Sequence, residues 1–232
     1  MQTVILAGGL GTRIQHLTPL PKAMIPVEGK PFLEYQIEIL RKHSLTDIVL
    51  CVGHLHEKIE DYFGDGRAFG VSIRYSLEQG TLLGTGGALK KAEPLLDDHF
   101  FVMYGDSFLL LDYAGIEKAF QEHPGDGLMV VYRNHNQFDR SNVTLREGFV
   151  SGYGYEGYER KEYIDEGISV LRKDFFKDRD ASSVFSLGDI LKELIREKKL
   201  RAFETLQRFY EIGSEEGLET FRAWVLGRSN PS

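Results

Sequence analysis

A short apolar run, Val4-Ile5-Leu6-Ala7, breaks off into Gly8-Gly9-Leu10-Gly11-Thr12-Arg13, and this junction constrains the chain more than any other stretch of it. Apolar runs of this length form buried strands. Glycine lacks the Cβ that would hold an anion away, so a strand ending in such a turn can aim backbone N–H groups at phosphate oxygens. Arg13 adds a cationic fork beside those amides. Lys22 follows on a segment stiffened by Pro19, Pro21 and Pro26. Amides and two cations together describe a triphosphate site; a tight strand-to-helix turn without a ligand is the competing reading. Two familiar phosphate motifs are excluded. Thr12-Arg13 follows Gly11 where a P-loop needs Lys-Ser/Thr, and Ile14 stands where a dinucleotide fingerprint needs its third glycine.

The wider pattern is more specific. GGLGTR, then Pro21-Lys22, then Gly29-Lys30-Pro31 opening a helix, with no strand read between, resembles the sugar-1-phosphate nucleotidyltransferases, or nucleotide-sugar pyrophosphorylases. Within them the first half is most similar to heptose- and mannose-1-phosphate guanylyltransferases. The resemblance implies an α/β fold, Rossmann-like and three-layered (α/β/α), with a mostly parallel mixed sheet. It also implies transfer of a nucleoside monophosphate from an NTP to a sugar 1-phosphate, with Mg²⁺ as cofactor.

Periodicity along the chain fits that fold. Strands are expected at Ile48 to Val52, Val71 to Tyr75, His99 to Tyr104, Gly127 to Tyr132 and Gly167 to Leu171, with hairpins between Val143 and Tyr158. Helices are expected from Pro31, over Leu55 to Phe63, from Gly86 to Ala92, and over Tyr113 to His123, Ser186 to Lys198 and Ser214 to Leu226. We read residues 1–232 as one domain, with 1–110 the nucleotide-binding half and 111–232 the sugar-binding half. Ligands of parallel sheets sit at the carboxyl ends of strands, and three candidate loops leave that edge: GGLGTR, Glu78 to Gly87 and Gly105-Asp106.

In the first loop the resemblance assigns Leu6, Ala7, Gly8, Gly9, Gly11, Thr12, Arg13 and Lys22 to the nucleotide, with Arg13 and Lys22 in catalytic roles. In the second, the family uses an acidic residue followed by a GTGG-type turn to hold the base. Here these are Glu78 with Gly84, Thr85, Gly86 and Gly87, and the glycines are expected to admit a flat ring. A carboxylate accepts two hydrogen bonds from guanine, whereas uracil offers one donor, so Glu78 favours GTP. The alternative is a solvated Glu78 before a helix start. Asp106 directly follows an apolar strand and matches the family's catalytic, metal-binding aspartate; Asp112 is better placed to cap the next helix. Glu211 stands where the family's second metal ligand is usually aspartate, and a purely structural Glu211 is the alternative. The Glu-Lys-Pro segment of many relatives is absent. By position before a strand, Lys161 is expected at the sugar phosphate, and Glu166 with the Gly167 amide at sugar hydroxyls. A solvated hairpin face is the other reading of that charge run. His54 and His56 have a metal-like spacing but no third ligand near, and are read as loop residues.

Composition limits the partners. With 28 basic and 35 acidic side chains the net charge is −7, which argues against nucleic acid, so an anionic substrate must be caught by local groups. The single cysteine, Cys51, excludes an internal disulfide and reads as a core residue. No signal peptide and no run of about 18 apolar residues is seen, so no membrane is expected and the cytoplasm is the default. The expected partners are an NTP and a sugar 1-phosphate. Trp224, Phe221 and Leu226 are read as closing the chain's own core, with a homodimer contact as the alternative. A uridylyl- or cytidylyltransferase acting on another sugar or alcohol phosphate, or a non-catalytic nucleotide-binding regulatory subunit, are the competing functions.

Overall fold

The computed structural model describes residues 1–9, 19–78, 80, 82–122, 125–156 and 161–227. In chain order the elements are β1 (Gln2–Leu6), β2 (Pro26–Val27), β3 (Lys30–Pro31), α1 (Phe32–Lys42), β4 (Asp47–Val52), α2 (His56–Phe63), β5 (Ser72–Leu77), α3 (Gly84–Ala92), β6 (His99–Tyr104), β7 (Ser107–Phe108) and α4 (Tyr113–Glu122). They continue as β8 (Gly127–Arg133), β9 (Val143–Arg146), β10 (Phe149–Tyr153), β11 (Tyr163–Arg172), α5 (Leu187–Arg196), β12 (Leu200–Thr205), β13 (Tyr210–Glu211) and α6 (Glu215–Val225).

Nine strands form one sheet in the order β5-β4-β1-β6-β11-β8-β12-β10-β9. The segment β5-β4-β1-β6 is wholly parallel, β12 is parallel to β8, and β11 runs antiparallel between β6 and β8. Strand side chains alternate between two cores, as a sheet covered on both faces requires. Ile5, Leu50 and Met103 join Leu33, Ile37, Ile59 and Ile116 from α1, α2 and α4. Val4, Leu6, Val49 and Val102 join Leu89, Ile190 and Leu194 from α3 and α5. The result is the three-layer α/β/α architecture.

A third, aromatic cluster places Phe32 and Tyr35 of α1 against Phe108, Tyr210 and Phe221, with Trp224 packed on it. Phe221 and Trp224 thus close the chain's own core, and Leu226 alone of the three is exposed. Ser186 caps α5 with a capping box to Asp189, and Ser214 caps α6 through the Gly217 amide. Asp112 accepts from the Gly115 amide at the start of α4, the capping role expected of it.

Three expectations need correction. A two-residue ladder, β2 with β3, lies between Lys22 and the first helix, where no strand was read; its turn at Glu28-Gly29 is too short to leave a period. The strand expected over Gly167 to Leu171 begins at Tyr163, because pairing with β8 and β9 carries it through polar residues. Strand β12 had no counterpart in the sequence reading: Arg201 and Glu204 interrupt its apolar pattern, and only burial beside β8 makes it a strand. No helix among the described residues is long and apolar enough to cross a membrane.

Candidate active site

The carboxyl ends of β1, β4, β5 and β6 open into a cleft of about 320 Å³. Leu6, Ala7, Gly8, Gly9, Lys22, Glu78, Gly84, Thr85 and Asp106 all line it. Gly11, Thr12 and Arg13 lie outside the described residues.

Lys22 sits on a single helical turn, Lys22–Met24, entered through Pro21 and anchored by the buried Ala23 and Met24. Its Nζ reaches the Asp106 carboxylate at 2.5 Å. The Asp106 turn is itself clamped. Gln36 of α1 is fully buried, and its Nε2 donates to the carbonyls of Tyr104 at 2.9 Å and Ser107 at 2.7 Å, one on each side of Gly105-Asp106. The Gly105 amide donates to Leu6 and the Ile212 amide to the Asp106 carbonyl. The sequence carried a signal for this clamp, since Gln36 interrupts the apolar stripe of α1.

Glu78 follows β5 directly. Its Oε1 accepts from the Leu83 amide at 2.8 Å, and burial raises its carboxyl above the usual range, opposed by that hydrogen bond and by Lys91. The turn after it differs in its reason from what the sequence suggested. The Gly86 and Gly87 amides donate to the Phe185 carbonyl at 3.0 and 3.2 Å, and the Leu187 amide donates to Thr85 Oγ1 at 2.7 Å. Gly84 has φ +75, and a Cβ there would lie 2.6 Å from the Phe185 carbonyl oxygen. These glycines make room for the Ser183 to Leu187 segment from the second half of the chain, while Gly84 and Thr85 also line the cleft.

A second cavity, of about 490 Å³, adjoins the first through Tyr104 and Asp106, which line both. Antiparallel pairing of β13 with β7 puts Glu211 opposite Ser107, so it joins Asp106 at this wall despite their separation in sequence. One Glu211 oxygen accepts from Ser214 Oγ at 2.6 Å and the other from the Gly213 amide. A carboxylate oxygen with one hydrogen bond keeps a lone pair free. Among the described residues no three His, Cys, Asp or Glu side chains cluster as a protein-only metal cage would need. Mg²⁺ characteristically takes one or two carboxylates and completes its shell with phosphate oxygens and water, so Asp106 with Glu211 fits it. The ammonium already seated on Asp106 shows that this carboxylate accepts a cation.

Glu166 and Gly167 also line the second cavity. Glu166 is only 2% exposed and neither carboxylate oxygen has a hydrogen-bond partner among the described residues. Burial, then the charge of Asp165, raises its carboxyl well above the usual range. Asp165 beside it is pushed up to about 6 by burial, while accepting from the Gly167 amide and from Tyr153. Lys161 is not brought into either cavity; its Nζ donates to the Glu156 carbonyl at 2.6 Å. Arg208, which the sequence reading passed over, lines the second cavity instead.

The nucleotidyl transferase family model matches residues 2–140. The D-glycero-alpha-D-manno-heptose 1-phosphate guanylyltransferase of Aneurinibacillus thermoaerophilus is 35% identical, over 92% of this chain and 93% of its own length. A UTP–glucose-1-phosphate uridylyltransferase of Synechocystis is 42% identical over 73% of this chain and 46% of its own. In fold, the crystal structure of HddC from Yersinia pseudotuberculosis complexed with GMP-PN superposes with a TM-score of 0.80, covering 97% of this chain and 99% of that one, at 24% identity. With a family model spanning more than half its residues and a relative matched along nearly its whole length, the chain belongs to the nucleotidyl transferase family.

Proposed function

We propose that the chain transfers the nucleoside monophosphate of an NTP, GTP by preference, to a heptose- or mannose-type sugar 1-phosphate. The products are an NDP-sugar and pyrophosphate. The observation that carries this reading is the Lys22–Asp106 pair, in which Lys22 faces the first cavity and Asp106 lines both cavities. One of these holds the glycine loop and Glu78, and the other is rich in groups suited to hydroxyls. On this reading residues 1–110 hold the nucleotide and residues 111–232 supply most of the acceptor side. The near full-length relative that acts on heptose 1-phosphate supports the same substrate class.

The attacking group is a phosphate oxygen, anionic at neutral pH, so no general base is needed. It forms a bond to the α-phosphorus as the bond to the β-phosphate oxygen breaks. The task left to the protein is to hold two repelling anions in line and to stabilise charge at phosphorus. The amides of Gly8, Gly9, Gly11 and Thr12, with Arg13, receive the departing pyrophosphate. Lys22 has three N–H donors, so it meets the α-phosphate while keeping Asp106. Mg²⁺ held by Asp106 and Glu211 would supply Lewis-acid neutralisation of phosphate charge. Glu166 meets sugar hydroxyls, whereas the Gly167 amide expected beside it is already committed to Asp165, and Glu78 meets the base edge. We place the activity in the cytoplasm, where nucleoside triphosphates are available.

Pyrophosphate release from four NTPs, each paired with mannose, heptose and glucose 1-phosphates, tests the reading. GTP with a heptose or mannose 1-phosphate is expected to give the highest kcat/KM. Preference for UTP with glucose 1-phosphate would favour the uridylyltransferase alternative, which the 42% identical relative supports. Nucleotide binding with no turnover of any pair would overturn the enzyme reading.

A further inference from the structure

The second cavity is lined by the carboxylates of Asp106, Asp139, Asp165, Glu166, Glu211 and Glu216. Its one cation among the described residues is Arg208. That side chain is held by two rings, its guanidinium 4.3 Å from the centroid of Phe138 and 5.1 Å from that of Tyr210. Its Nε is buried without a hydrogen-bond partner, and it forms no ion pair with a described residue. A guanidinium remains charged at any physiological pH, and stacking on aromatic faces fixes its plane without using its N–H donors. A buried donor left unmade is costly unless something that binds there completes it.

We propose that Arg208 seats the phosphate of the acceptor. The inference rests on the reading of this cavity as the sugar-1-phosphate site and names the group that the sequence sought at Lys161. Phosphate is the one charge such an acceptor always carries. Every other charged side chain that lines the cavity among the described residues is an acid, which takes a hydroxyl readily and repels a dianion. The Lys161 ammonium is turned to the Glu156 carbonyl and contributes nothing there. Arg208 also lies two residues before β13, the strand that carries Glu211 to the edge of β7 beside Asp106. One short segment therefore delivers a cation for the acceptor and a carboxylate for the metal.

The test is steady-state kinetics on Arg208→Ala and Arg208→Lys in the full chain, with the best NTP and sugar 1-phosphate from the substrate panel. Loss of one charge-assisted contact is expected to raise KM for the sugar 1-phosphate about 10- to 100-fold in Arg208→Ala. KM for the NTP should stay within about twofold, and lysine should recover part of the loss because it keeps the charge without the fork. Inorganic phosphate should compete with the acceptor in the unaltered protein and cease to do so in Arg208→Ala, while competition by the free sugar is retained. A merely structural arginine would lower the unfolding midpoint and leave the ratio of the two KM values unchanged, which would overturn the proposal. So would loss of competition by the free sugar in place of phosphate. Failure of the unaltered chain to turn over any NTP and sugar phosphate would instead overturn the functional reading beneath it.

Discussion

Glu166→Gln separates the electrostatics of the second cavity from its chemistry. Glu166 is buried, unpartnered and beside Asp165, and its carboxyl is held well above the ordinary range near 4.5. A group whose folded pKa is raised adds stability below its unfolded pKa and loses it as pH rises towards the folded value, because the unfolded chain releases its proton first. In that window stability falls by about 1.4 kcal/mol per pH unit for each such proton. Glu166 alone therefore costs stability as pH rises above the unfolded value, for as long as the folded carboxyl keeps its proton. Glutamine is nearly isosteric and does not titrate. Asp165, pushed up to about 6, has the same sign but is present in both proteins and largely cancels from their difference. Urea unfolding followed through the lone Trp224 at two pH values above that unfolded value measures this directly. The variant should gain on the unaltered protein as pH is raised, by no more than about 1.4 kcal/mol per pH unit. A gap that is equal at both pH values would refute the argument, since it would mean that burial leaves this carboxyl unshifted.

Lys22→Ala and Asp106→Ala are each expected to cost about 10²-fold in turnover, the scale of losing one preorganised electrostatic contact. Their side chains remain 16% and 31% exposed, so breaking the pair should cost only about 1 kcal/mol of stability or less. Unfolding curves run beside initial rates will show whether the two effects separate in this way. Gly84→Ala combines a left-handed backbone, costing roughly 1–2 kcal/mol, with a Cβ pressed on the Phe185 carbonyl, costing roughly 1–3 kcal/mol. The unfolding midpoint should fall by about 5–15 °C and KM for the nucleotide should rise, as calorimetry and kinetics will report.

The sequence by itself determined the first half of the sheet. β1, β4 and β6 are each a compact apolar run and β5 alternates as an edge strand does, each ended by a turn, and their order forces the loops after β1, β5 and β6 onto one edge. Local patterning suffices there because the central strands of a parallel sheet are apolar on both faces and the edge strand alternates, so each strand announces itself. Lys22 and Asp106 could be nominated from such loops, though only the structure places one against the other at 2.5 Å. The second half of the chain was legible in pieces. The β9–β10 hairpin and α5 follow from composition, but β12 and the early start of β11 do not, since their charged residues are tolerated only beside β8. The roles of Gln36, Arg208 and the GTGG glycines were decided by tertiary structure. Each answers to a partner distant in sequence: the carbonyls around Asp106, the rings of Phe138 and Tyr210, and the Phe185 segment. Periodicity records which face of an element is buried, but not which polar group it will meet once the elements pack.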